Sequence, residues 1–197
     1  MDADFSVELG ADDPTLEFPW EAEGTPLRYV DVKNNPDQLR FVDEAEKYHE
    51  LHTFLAAMNS ATSMLVSAKC DVWADSEIQE AEEIYEAETK FVSYVDLVYT
   101  ADSGRRADFL SHEHLVRRTV ELLGRAPQIT SAAEFIVRRC YFCGGDDVES
   151  GFYVTFYLTG YGADEDEARQ RWGIGLNVVQ NALLQVSAEF RRQKNLQ

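Results

Sequence analysis

From Met64 to Trp73 the side chains alternate. Met64, Val66, Ala68, Cys70 and Val72 fall to one side, and Leu65, Ser67, Lys69, Asp71 and Trp73 to the other. A period of two marks a strand. The same period recurs in Phe91–Thr100, in Glu134–Cys143 and, most regularly, in Phe152–Tyr161. In that last run Phe152, Val154, Phe156 and Leu158 oppose Tyr153, Thr155, Tyr157, Thr159 and Tyr161. Gly144-Gly145-Asp146-Asp147 is a turn-forming link between the third and fourth runs.

The period lengthens after each pair of runs. Ser111 to Leu123 reads as a helix that buries Val116, Val120 and Leu123, stopped by Gly124 and Pro127. From Asp164 a longer helix presents Ala168, Trp172, Gly175, Leu176, Val179, Leu183, Val186 and Phe190 at steps of three or four. Asp164 and Glu167 suit its N-terminus, and Arg191-Arg192 its end. Gly175 on the apolar stripe predicts close approach of this helix to the sheet. Asn35-Pro36 opens another stripe, Leu39, Val42, Tyr48, Leu51, Leu55 and Met58, with imperfect spacing around Glu44–Lys47 that predicts a break. Between the first two strands, Ser76 and Gln79 form a capping pattern for a short acidic helix at the hairpin tip.

Two strand–strand–helix units therefore follow one another, at about 62–125 and 130–192. The expected fold is α+β: duplicated ββα units forming one mainly antiparallel four-stranded sheet, with helices packed on one face. An N-terminal helix completes a single domain over 36–197. Residues 1–35, acidic and broken by Pro14, Pro19, Gly24 and Pro26, read as an extended arm that docks Leu16, Phe18, Trp20, Leu27, Tyr29 and Val30 on the body.

Composition changes this picture in two ways. At 197 residues, 45% hydrophobic and 12% aromatic, the chain can bury a sizeable core despite a formal net charge of −18. That charge is lopsided: residues 1–101 carry 23 acids against 6 bases, residues 102–197 13 against 12. Such an acidic surface repels phosphate backbones and anionic bilayers, which argues against nucleic acid and membrane partners. An N-terminus without a basic and apolar leader, and three cysteines, point to a cytoplasmic protein with reduced thiols.

Candidate chemistry is sparse. Cys140 and Cys143 form a CxxC, with Cys70 at the matching place in the first unit, but a thiolate metal site needs four ligands and a redox pair favours a helix N-terminus. His49 and His52 share a helix face, and His112 and His114 open the second helix; neither pair sits in a zinc-protease pattern. Asp146-Asp147-Val148-Glu149 lacks the alternation of a calcium loop. No phosphate-cradling or serine-elbow signature occurs. No cofactor, metal site or catalytic residue is expected.

What remains is a face. Opposite the helices, the sheet is expected to present Trp73, Tyr141, Tyr153, Tyr157 and Tyr161, with Lys69, Arg139 and Asp96 among them and Asp71 and Tyr94 beside them. Rings with polar tips suit a surface that meets another surface. The expectation is a soluble, non-catalytic binding module, homodimeric through this aromatic face. Three alternatives stand beside it. One is a ligand-binding protein or enzyme with a pocket between sheet and helices, using Tyr157, Arg139, Asp96 and His112 or His114. The second is a ligand or peptide groove on the aromatic face, and the third a face covered by the arm or the first helix. A small acidic α/β chain with an amphipathic C-terminal helix is similar in general arrangement to type III secretion chaperones, and that resemblance implies a polypeptide wrapped on the sheet.

Overall fold

The computed structural model describes residues 1–145 and 147–192 in full, with the backbone of 193 and 194. Among these residues six strands form one mixed sheet: β1 (Asp2–Val7), β2 (Thr15–Phe18), β3 (Leu65–Asp75), β4 (Thr89–Tyr99), β5 (Ser131–Gly144) and β6 (Asp147–Gly162). Their order is β1-β5-β6-β4-β3, with β2 beyond β1 on the same edge of β5. The four expected strands pair antiparallel in that order. The sheet differs from the expectation at its edge, where β1 and β2 run parallel to β5. The supposed arm is therefore two edge strands for its first half. Each leaves alternate side chains in water, so neither carries enough apolar residues to announce itself; β5's unpaired backbone groups recruit them.

Among the described residues four α-helices pack on the sheet: α1 (Asp43–Lys47), α2 (His49–Met58), α3 (Phe109–Leu123) and α4 (Glu165–Lys194). The expected break in the first helix is present twice, at Val42 and at Tyr48, both in extended backbone. Asp108, and not Ser111, caps α3 by accepting from the Leu110 amide. Duplication of a ββα unit is not shown. β1, β2 and the α1–α2 pair have no counterpart before β5, and α3 lies over β1, β5 and β6 as well as against α4.

The main core lies between helices and sheet. Trp172 of α4 is fully buried against Phe91 and Tyr48, and its indole N–H donates to Ser93 Oγ at 2.8 Å. α4 reaches β6 at Gly160 and Gly162: a Cβ on Gly160 would fall on the Ala168 carbonyl and the Trp172 amide. The close approach expected at Gly175 is milder, a contact with Ser131 Oγ and Leu158.

A second, smaller core lies on the other face. After β2 the chain crosses that face as a strap (residues 19–32), and Leu16, Phe18, Trp20 and Tyr29 cover Val66, Ala68, Val98, Cys140, Phe142 and Tyr153. Trp20 Nε1–H donates to the Ala68 carbonyl at 2.6 Å, and Lys33 Nζ donates to the carbonyls of Ser60 and Ser63 at 2.8 Å each and of Leu65 at 3.3 Å. Asn59 Oδ1 accepts from the Ser67 amide. These contacts satisfy the otherwise free edge of β3 at its start. Trp20→Ala removes the indole's packing and its hydrogen bond, and is expected to lower stability by about 2 kcal/mol. Urea unfolding measures the loss, and faster proteolysis within 19–30 locates it.

Candidate functional site

Between Ser67 and Lys69 the β3–β4 register slips by one residue, a bulge at Ala68. A bulge moves every later side chain to the other face. Val66 and Ala68 thus lie under the strap, whereas Cys70 and Val72 pack toward the helix-side core. The unbroken alternation read from the sequence does not hold there. The slip sends Lys69, Asp71 and Trp73 to the open face, opposite Asp96, Tyr94 and Val92 in turn.

Register then assembles the open face row by row. One row runs Asp71, Tyr94, Tyr157, Glu134 and Asp4 across β3, β4, β6, β5 and β1. The row beside it, toward the strap, runs Lys69, Asp96, Thr155, Ile136 and Ser6. Of the residues expected on this face, the structure brings together Lys69, Trp73, Asp96, Tyr153, Tyr157 and Tyr161. Arg139 and Tyr141 stand apart. Arg139 pairs with Phe152, which packs toward the helix-side core, so it points to the opposite face, and Tyr141 follows two residues on; both are exposed. The strand faces were read correctly on β6 but out of step on β5.

The chain itself covers both ends of this face. Tyr153, at one end, lies under the strap and is 3% exposed. Tyr161, at the other, is also 3% exposed. There the β3–β4 connection folds back as a short 3-10 turn (Glu80–Tyr85), and Tyr85 stacks on Tyr161 at 4.0 Å between centroids. Gln79 and Glu82 form the turn's reciprocal cap. Although burial opposes it, hydrogen bonds from Lys90, the Gln79 amide and Tyr161 hold the Glu82 carboxyl below the usual carboxylate range. The middle stays open, floored by half-buried Tyr94 and Tyr157.

Charge is buried beside that floor, toward the strap. Arg138, ion-paired to Glu8 at 2.8 Å, donates to Thr155 Oγ1 at 2.9 Å, and Thr155 donates to Asp96 Oδ1 at 2.7 Å. Thr155 is 1% exposed and Asp96 7%. Burial pushes Asp96 up from 3.8 to about 6, against the pull of Thr155, Lys69 and Arg138.

At the β3 end of the open stretch lies a cavity of about 290 Å³. The strap gives it Trp20, Leu27 and Val30; the turn before α1 gives Phe41 and Val42; α2 gives Leu55. Exposed Asp43 and Asp71 and half-buried Glu44 line it too, with Lys69 and Arg28 as its bases. Burial raises Glu44, and the charges of Asp71 and Asp43 add to that. Lys69 Nζ sits 5.4 Å from the Trp20 ring centroid, a cation–π contact. Burial, then the charges of Glu44, Asp71 and Asp96, push the Cys70 thiol up. The sequence reading sets Asp71 and Tyr94 beside the aromatic face and Trp20 and Leu27 among the arm's docking residues, but joins neither pair with Glu44 or Phe41 in one site. They come from four separate segments, and no spacing along the chain links them.

The remaining candidates do not converge. Cys140 and Cys143 both belong to β5, three residues apart, with Cys140 buried on the strap side and Cys143 exposed; all three thiols are free. Burial raises Cys140 to about 12. His49 and His52 stack on the exposed side of α2. His112 is buried against Tyr99 and Phe152 with Nδ1 2.9 Å from the Asp108 carbonyl, and burial lowers its pKa. His114 lies against Phe190. Among the described residues no group of three or more His, Cys, Asp or Glu is placed to hold a metal ion, and no helix is long and apolar enough to cross a membrane. The chain matches none of the family models, curated proteins or solved structures compared with it.

Proposed function

We propose that the protein is a non-catalytic binding module whose ligand enters the cavity at the β3 edge, and that the ligand is a compact apolar group carrying a positive charge. The supporting observation is the cavity's lining: apolar side chains from the strap, the turn before α1 and α2, with Asp43, Glu44 and Asp71 set among them. A cavity of this size falls at the lower end of the range for small ligands. Its nucleophile favours binding over catalysis. Cys70 is held as the neutral thiol, the reverse of what a reactive cysteine needs.

A dimer through the aromatic face gains less support. Tyr153 and Tyr161 are each 3% exposed within a single chain, so a second copy would gain little from either. Light scattering at micromolar concentration is expected to give a monomer.

Phenethylamine and phenylacetate share a ring and differ in charge. The amine is expected to bind with a Kd of about 1 mM, as a fragment of this size allows, and the acid at least tenfold more weakly, roughly one well-placed charge contact. Ala22→Phe, which projects a ring into the cavity from its half-buried wall, is expected to abolish amine binding. Calorimetry reads both. Equal binding of amine and acid, or amine binding that survives Ala22→Phe, would rule the reading out.

A further inference from the structure

The cavity opens onto a larger feature. The strap walls one side of the open face and the Glu80–Tyr85 turn the other, and between them the Asp71, Tyr94, Tyr157, Glu134, Asp4 row crosses five strands. Two tyrosines lie in the middle of that row, with an acid at the β3 margin and two at the β1 margin. At the far end is a second recess of about 420 Å³, lined by Asp2, Asp4, Glu82, Glu134 and Tyr157. The trough thus has an apolar hole with acids at one end, an aromatic floor, and an acidic recess at the other.

We propose that the occupant is an extended, basic polypeptide segment that lays one bulky apolar side chain in the cavity and runs across the tyrosine floor to the second recess. This rests on the cavity being a binding site for an apolar group with a positive charge nearby, and it names a polypeptide as the source of that chemistry.

Dimension, charge and floor chemistry argue for such a segment. Five strands at about 4.8 Å spacing make the trough roughly 19 Å long, which an extended chain rising about 3.3 Å per residue spans in about six residues. Of the bases that face the trough, Lys90 pairs with Glu82 at 2.8 Å and Arg138 with Glu8, which leaves Lys69, lying over Trp20, and Arg28 against Asp43, Glu44 and Asp71 at one end and Asp2, Asp4 and Glu134 at the other. The acids at its two margins thus leave an excess of negative charge, which attracts lysine and arginine and repels nucleic acid and anionic bilayers. Tyrosine rings accept the aliphatic stems and the charged heads of such residues. The chain's net charge of −18 disfavours a second copy as the occupant.

The test uses the full-length protein and a fluorescein-labelled heptapeptide that begins with phenylalanine and continues with alternating threonine and lysine, followed by anisotropy at low salt. It is expected to bind at least tenfold more tightly than phenethylamine, because the floor and second recess add contacts. Glutamate in place of lysine should abolish binding, and alanine in place of phenylalanine should weaken it about tenfold. Asp71→Lys combined with Glu134→Lys should weaken binding at least tenfold. Glu121→Lys, on α3 at the far face, should change it less than about twofold. Circular dichroism and thermal melts check that each variant is folded.

If phenethylamine binds the cavity and the peptide binds no tighter, the cavity reading stands and the polypeptide inference falls. If neither binds, both fall. Indifference of the peptide to Asp71→Lys and Glu134→Lys, or dimerisation that excludes it, also overturns the inference.

Discussion

Asp96→Asn is expected to make the protein more stable at neutral pH, with an advantage that vanishes in acid. The folded state holds the Asp96 proton more tightly than the unfolded chain does, about 6 against 3.8. The protonated carboxyl therefore contributes stability that is fully present below about pH 3.8 and is lost as the pH rises through about 6. That difference is worth roughly 3 kcal/mol above pH 7. Asparagine keeps an oxygen to accept from Thr155 and carries no charge to bury. Urea unfolding of both proteins at pH 4, 6 and 7.5 should show a gap that opens with pH, reaching about 2–3 kcal/mol. His112 enters both profiles in the opposite sense: burial lowers its pKa, so its contribution is lost as pH falls. Subtracting one curve from the other removes it. A gap that is flat from pH 4 to 7.5 would show that Asp96 is not held in a charge-averse environment.

Gly160→Ala is expected to cost about 3 kcal/mol or more. The added methyl has no space: it meets the Ala168 carbonyl and Trp172 backbone, and backbone cannot swing aside as a flexible side chain does. Relief requires α4 to lift from β6, which loosens Trp172 from Phe91 and Ser93. Gly144→Ala is the control. Its Cβ would meet nothing within 4 Å, and Gly144 is not among the positive-φ glycines. Thermal melts should place Gly144→Ala near the parent and Gly160→Ala far below it, or fail to find a cooperative transition for the latter. A loss under about 1 kcal/mol for Gly160→Ala would mean that helix and strand are not in close contact there.

Much of the scaffold was legible in the chain. The four strands β3 to β6, α3, α4 and the broken first helix follow from apolar spacing, because a half-buried element repeats its burial with its own geometry. The β6 faces were legible too: Phe156 lies under the helices and Tyr157 on the open side, as alternation requires. Legibility failed where a residue's environment is set by a partner distant in sequence. β1 and β2 are strands because β5 leaves an edge for them. Arg139 and Tyr141 leave the tyrosine face because β5 is held in step by β6 and not by its own pattern. Val66 and Ala68 lie under the strap, and not on the helix side with Cys70 and Val72, because of a bulge that leaves no mark in composition. The site was half legible. Asp71, Tyr94, Asp96 and Tyr157 were all placed on the open face, but the cavity joins the strap, the turn before α1, α2 and the β3 edge, which only folding brings together.

By itself, then, the order of apolar and polar residues determined that β3, β4, β5 and β6 are strands, that α3 and α4 are helices, and that the surface is strongly acidic. Those are local matters, fixed by backbone period and side-chain charge. Only the tertiary structure decided what covers the tyrosines, where the sheet's edges end, and that a cavity opens between strap and β3. These depend on the register of strands far apart in sequence, and register is set by backbone hydrogen bonds that every residue can make.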